Sequence, residues 1–98
     1  KLALFARLEA KPGKEKDVAD FLRQGLALAN EESTTLMWFA LRLGPTTFAI
    51  FDTFADEAGR QRHLGGPIAQ ALMAQAPTLL AAPPQIEPLE VLGAKLPA

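Results

Sequence analysis

Apolar and polar positions alternate from Leu2 to Glu9, with Leu2, Leu4, Ala6 and Leu8 on one side and Ala3, Phe5, Arg7 and Glu9 on the other. A period of two predicts a strand, and Lys11-Pro12-Gly13-Lys14 punctuates its end. From Glu15 to about Glu31 the period changes. Val18, Phe21, Leu22, Gly25, Leu26 and Ala29 recur at helical spacing, while Lys16, Asp17, Asp20, Arg23 and Gln24 occupy the other side. This predicts an amphipathic helix. Gly25 lowers helix propensity within the stripe and predicts close approach to a sheet. Asn30-Glu31-Glu32-Ser33 ends the helix and turns the chain.

Thr34 to Leu43 and Thr46 to Phe54 are rich in β-branched and aromatic residues and predict a hairpin turned by Gly44-Pro45. An even loop sets Leu41 opposite Phe48, Phe39 opposite Ile50 and Met37 opposite Asp52. One face then holds Met37, Phe39, Leu41, Phe48, Ile50, Asp52 and Phe54, and the other Leu36, Trp38, Ala40, Ala49 and Phe51. An odd loop reshuffles the sets. In either register both faces are apolar, whereas an antiparallel sheet with one wet face alternates cleanly. Helices cover one face of a sheet this size, so the other predicts a second cover, an identical subunit.

Asp56 reads as an N-cap for a short helix from Glu57 to about Leu64, stopped by Gly65-Gly66. Pro67 suits the first position of another helix, with Ile68, Leu72, Ala76, Leu79 and Leu80 inward and a kink or break expected near Ala76 from Pro77. Ala81 to Pro84 interrupts the chain. Gln85 to Leu92 predicts a last strand, with Pro88 marking an edge or bulge. Gly93 to Ala98 forms a short tail, expected to dock on a partner. The order β-α-β-β-α-β predicts a ferredoxin-like α+β fold, a four-stranded antiparallel sheet with helices on one face, as a single domain over residues 1–98.

Composition narrows the functional classes. The chain is 98 residues long and 49% hydrophobic, apolar for a domain so small that most residues reach the surface. A covering partner or an apolar pocket is expected. Net charge is −1 without a basic stripe, which argues against nucleic acid. Without Cys and with one His, disulfide and thiolate chemistry are excluded, and no metal site is expected. No apolar run reaches the roughly 18 residues of a membrane span. Lys1 to Phe5 is too short for a signal peptide, the lack of an initiator Met predicts a start slightly before Lys1, and a cytoplasmic location is expected.

Three stretches carry a resemblance: the opening strand with KPGKEKDVADFL, then FAIFDTFADEAGRQRHLGGPIAQAL, then PQIEPLEVLGAKLP. Over nearly the whole chain they resemble the antibiotic biosynthesis monooxygenase-like (ABM) family of dimeric α/β-barrel proteins. The sharpest part is Asp52, Phe54 and Asp56 followed by His63, nine residues after the aromatic. The resemblance implies a homodimer with its sheets packed face to face and an apolar cavity between each sheet and its helices. Some members oxidise polycyclic phenols or quinols with O₂ and neither metal nor flavin, and related members degrade haem. The haem-degrading relatives use Asn, Trp and His where this chain has Ala6 or Arg7, Phe54 and Leu72, so no haem and no other cofactor is expected. Phenol-oxidising relatives often place Tyr, Trp, Asn or Arg around the substrate, and this chain has no Tyr.

A cofactor-free oxygenase needs a dry, flat pocket, a base to make the phenol or quinol a better reductant, and a donor for oxyanion charge. His63 is the candidate base, because its ordinary pKa lies near neutrality. The bland reading is a helix-end His that bonds locally. Asp52 is the candidate assistant, either orienting His63 or acting as base, against a structural pairing with Arg7, Arg60 or Arg62. Phe39, Phe54 and Met73 are candidate substrate-binding residues, against a plain core role. Trp38 either stacks on a ligand or, with an even loop, faces the second subunit beside Phe51. Arg60 and Arg62 attract an anion, or Arg60 pairs with Asp56. The expected function is a cofactor-independent monooxygenase acting on an aromatic, phenolic or quinol-type molecule. The alternatives are a non-catalytic dimeric binding module for an apolar small ligand, and a structural dimer with a filled core.

Overall fold

The chain forms, in order, β1 (Leu2–Glu9), α1 (Glu15–Glu31), β2 (Thr35–Arg42), β3 (Thr47–Phe54), α2 (Glu57–Leu64), α3 (Pro67–Leu79) and β4 (Gln85–Glu90). The computed structural model describes residues 1–97; Ala98, at the end of the tail expected to dock on a partner, lies outside them. All strand pairs are antiparallel and the sheet order is β2-β3-β1-β4. This is the expected ferredoxin-like α+β fold. The buried strand positions all fall on the two central strands, β1 and β3, and in β3 Phe48, Ala49, Ile50, Asp52, Thr53 and Phe54 are all buried. Pro88 sits on β4, an edge strand, where its missing N–H breaks no ladder.

Leu8, Val18, Leu22, Phe48, Ile50, Leu72 and Leu79 are central to the core between sheet and helices. Their positions follow the two periods of the sequence: alternate residues of β1 and β3, and one stripe each of α1 and α3. Asp56 caps α2 by accepting from the Gly59 N–H at 2.8 Å, which satisfies one orphan donor of that helix. Arg60 pairs with Glu57 and donates to the Ala3 and Leu89 carbonyls rather than pairing with Asp56.

Two expectations are corrected. Pro77 does not stop α3 near Ala76; the helix runs to Leu79. The proline falls in the last turn, and the carbonyls beyond it are satisfied from outside, with Lys11 Nζ donating to the Pro77 carbonyl at 2.6 Å and the Lys11 N–H to the Leu79 carbonyl at 2.8 Å. The hairpin loop is odd, not even. Arg42 pairs with Phe48, Ala40 with Ile50, Phe39 with Phe51 and Trp38 with Asp52. The Leu43 and Gly44 N–H groups both turn onto the Thr47 carbonyl, which closes a loop longer by one residue. A bulge at Leu36 shifts the ladder once more, so Thr35 pairs with Phe54 and Met37 with Thr53.

The one-residue shift moves β2 side chains between layers. Trp38 packs on the helix side against the core, not toward a second subunit. Met37, Phe39 and Leu41 share the open face with Ala49, Phe51 and Thr53. β1 and β4 add Phe5, Arg7, Glu87 and Leu89 to that face.

Candidate functional site

Three distant segments converge where α1 ends. Glu32 is the C-cap residue of α1, Asp52 lies near the end of β3, and His63 stands on the inner side of α2. That helix carries few apolar residues, and only Gly59 and His63, four apart on one face, are buried. Gly59 lets it approach the turn that leads into β2 closely: a Cβ there would lie 3.2 Å from the Thr34 carbonyl oxygen. Asp56 fixes where the helix starts, and so aims His63 at Asp52.

The imidazole is gripped at both nitrogens. His63 Nε2 lies 2.9 Å from Asp52 Oδ2, and Nδ1 lies 2.7 Å from Glu32 Oε1. Thr35 Oγ1 donates to the same Glu32 oxygen at 2.8 Å. Asp52 is 1% exposed and His63 8%. Phe54, two residues after Asp52 on the same face, is fully buried, and its ring centroid lies 5.3 Å from that of His63. A neutral imidazole has one N–H, so it would turn a lone pair toward one of the two carboxylates. The protonated ring donates to both. Burial, the largest single influence, pushes the His63 pKa down; the hydrogen bonds and charges of Asp52 and Glu32 together outweigh it and hold the pKa above the ordinary value. The raised pKa favours the protonated ring, the form that donates to Asp52 and Glu32 at once.

Three polar atoms around the array are buried without a hydrogen-bond partner: Asp52 Oδ1, Glu32 Oε2 and Trp38 Nε1. Glu32 also forms a wall common to two surface depressions. One, of ≈ 350 Å³, is lined by Glu32, Arg62, His63, Gly66 and Pro67 among others. The second, of ≈ 210 Å³, is bounded by Leu26, Asn30, Glu32, Leu36 and Trp38 among others. Among the described residues no cluster of side chains has the arrangement of a metal site, and the two ring nitrogens of His63 point at separate carboxylates rather than toward one shared centre.

The structure brings His63, Asp52 and Phe54 together. It does not bring Phe39 or Met73 to them. Phe39 is 48% exposed on the open face, stacked on Phe51 with centroids 6.3 Å apart, because the odd loop rotates it away from the helices. Met73 projects from the outer side of α3, 57% exposed, beside Pro77 and Leu80. Asp52 pairs with His63 and not with Arg7, Arg60 or Arg62. Glu32 is the residue that sequence reasoning missed. Nothing in the periodicity separates it from Glu31, and its role depends on His63, which lies 31 residues away.

The fold and the array define a class: a small ferredoxin-like domain that buries an acid–histidine–acid array under its helices and leaves the far face of its sheet bare. No family model and no curated protein matches the chain. Solved structures do. A protein described as an antibiotic biosynthesis monooxygenase superimposes with a TM-score of 0.80 at 15% identity, over 95% of this chain and 100% of its own. Rv0793 from Mycobacterium tuberculosis superimposes with a TM-score of 0.82 at 18% identity, over 95% of this chain and 96% of its own. The fold is that of antibiotic biosynthesis monooxygenase-like proteins. Within it, the NE2512 protein from Nitrosomonas europaea, of unknown function, is 67% identical over 100% of this chain and 95% of its own, with a TM-score of 0.96, and the chain belongs to the family of that protein.

Proposed function

We propose that this protein is a cofactor-independent monooxygenase that acts as a cytoplasmic homodimer on an aromatic, phenolic or quinol-type small molecule with O₂. The observation that carries the reading is the buried Asp52–His63–Glu32 array beside an open depression. A core has no need of three charged groups, and burying them is costly. Perturbed titratable groups beside a cleft cluster at sites of proton transfer. The shared fold with a protein described as a monooxygenase supports the reaction class.

In this reading His63 is not the atom that meets the substrate, because both its nitrogens are engaged. The imidazolium holds the two carboxylates in place and balances their charge. The oxygens left free, Asp52 Oδ1 and Glu32 Oε2, are the ones able to accept a phenolic proton. The phenolate, a stronger reductant than the phenol, then reacts with O₂. For a phenol with a free para C–H, one oxygen atom becomes the new quinone carbonyl and the other leaves as water. All four electrons come from the substrate, so the balance needs no further reductant. The homodimer is supported by the open face, where Phe5, Met37, Phe39, Leu41, Phe51 and Leu89 stand together.

The test is oxygen uptake with a panel of naphthols and naphthoquinols, with autoxidation subtracted. Uptake by the wild type, lowered at least tenfold in His63→Ala, is expected. No uptake with any member of the panel would replace this reading with a non-catalytic binding module for an apolar ligand. The closed imidazole is the observation that favours that second reading.

A further inference from the structure

Trp38 and Asp52 are directly opposed on neighbouring strands, and both face the helices. Side chains at opposed positions of an antiparallel pair lie within reach of one another. Each leaves one polar atom buried and unpaired: the indole Nε1–H, which can only donate, and Asp52 Oδ1, which as a carboxylate oxygen can only accept. Such atoms are costly to bury unsatisfied. His63 already holds the other Asp52 oxygen at 2.9 Å, so the carboxylate is not free to turn and relieve Oδ1. The indole is held too. Gly25 on α1 faces its ring, and a Cβ there would sit 3.4 Å from Cη2. Trp38 also bounds the ≈ 210 Å³ depression with Leu26 and Leu36.

A donor and an acceptor left unpaired on opposed positions are completed by one group that both accepts and donates. A hydroxyl does this. We propose that Trp38 and Asp52 form a seat for the hydroxyl of a flat aromatic alcohol, reached from the depression between α1 and β2. Trp38 Nε1–H donates to the hydroxyl oxygen, and the hydroxyl donates to Asp52 Oδ1. The choice of an aromatic alcohol rests on the functional reading above, and the indole beside the seat offers such a ring a stacking surface. In that reaction the O–H bond breaks, an Oδ1–H bond forms, and the electron pair stays on the phenolate oxygen, which keeps the indole hydrogen bond as charge develops. Trp38 thereby gains a role in specificity for a substrate that carries a hydroxyl.

Water has the same donor–acceptor chemistry, so the experiment separates the two sources. Three probes of similar shape are compared by equilibrium dialysis: α-naphthol, which accepts and donates and carries a free para C–H; α-methoxynaphthalene, which only accepts; and naphthalene, which does neither. Only α-naphthol completes both hydrogen bonds, so wild type is expected to bind it at least tenfold more tightly than the other two. Trp38→Phe keeps an aromatic ring against Gly25 and is expected to erase most of that preference while changing naphthalene binding less than about twofold. Asp52→Asn is expected to reduce it as well, but it also disturbs His63, so Trp38→Phe carries the test. Equal binding of the three probes, binding of none at millimolar concentration, or a preference that survives Trp38→Phe would each overturn the seat and leave the two atoms to a buried water. Oxygen uptake on the same samples separates this inference from the reading beneath it. A hydroxyl preference without uptake keeps the seat and removes the oxygenase. Uptake without a hydroxyl preference keeps the oxygenase and removes the seat.

Discussion

The two faces of the sheet are built from the same strands and use opposite physics. Toward the helices, β3 presents Phe48, Ile50, Asp52 and Phe54; toward the open side it presents Ala49, Phe51 and Thr53. The helix side is closed, and it carries a charged array whose every member is fixed by another element. The open side carries no such array, and its large side chains are half-buried or exposed, Phe39 at 48% and Leu41 at 37%. Both sides read as apolar in one dimension. They differ because one face has its cover within the chain, and a closed face can hold charge if geometry pairs it, whereas an open face has apolar area left to give to a partner.

The sharpest way to break the comparison is to remove one member of the array. Asp52→Ala strips the buried His63 of one of its two partners, and breaking a buried pair this way costs about 3–5 kcal/mol. A loss of that size in urea denaturation is expected; a loss below about 1 kcal/mol would mean that the array is not a closed, buried unit. On the other face, Phe39→Asp places a charge where the proposed second subunit packs. It is expected to weaken dimerisation by at least tenfold, about 1.4 kcal/mol, seen as a shift toward monomer in light scattering at micromolar concentration. Because Phe39 is half exposed in the single chain, the melting of the monomer should change little. Wild type that is already a stable monomer would remove the dimer altogether.

The array also predicts how stability follows pH. The folded His63 pKa is raised above its unfolded value by Asp52 and Glu32, against the effect of burial. The stabilisation is therefore fully present below the ordinary histidine pKa and is lost as pH rises through the raised folded value. Between the two the slope approaches one proton, about 1.4 kcal/mol per pH unit, and His63→Gln should flatten it. A wild-type stability that rises over that window would contradict the doubly held imidazolium. The smallest effect belongs to Gly25→Ala. The added Cβ would meet Trp38 at 3.4 Å, close to ordinary contact, while helix propensity improves by up to about 1 kcal/mol. A net gain of a few tenths of a kcal/mol is expected in thermal melting. A loss above about 1 kcal/mol would show that the glycine is needed for the indole to fit.

Much of the fold was legible because its signals are local. The boundaries of β1 and α1, the Asp56 cap, the start of α3 at Pro67 and the edge position of Pro88 each follow from one residue type or one period within a few positions. The link between Asp52 and His63 was open as one of several pairings, since an acid placed mid-strand among apolar neighbours calls for a partner. Its alternatives, Arg7, Arg60 and Arg62, differ from His63 only in where folding puts them. Phe39 and Met73 were assigned to a pocket from residue type and spacing, and neither property says which layer a side chain joins.

By itself the sequence determined the elements, their order and the presence of too much apolar surface for one small chain, because propensity, capping and periodicity act over a few residues. Only the tertiary structure decided the hairpin register, the side taken by Trp38 and Phe39, the continuation of α3 through Pro77 and the recruitment of Glu32 to His63. The physical reason is one of range. A loop longer by one residue inverts every side chain of a strand at almost no local cost, and a contact between positions 32, 52 and 63 exists only after three elements have packed.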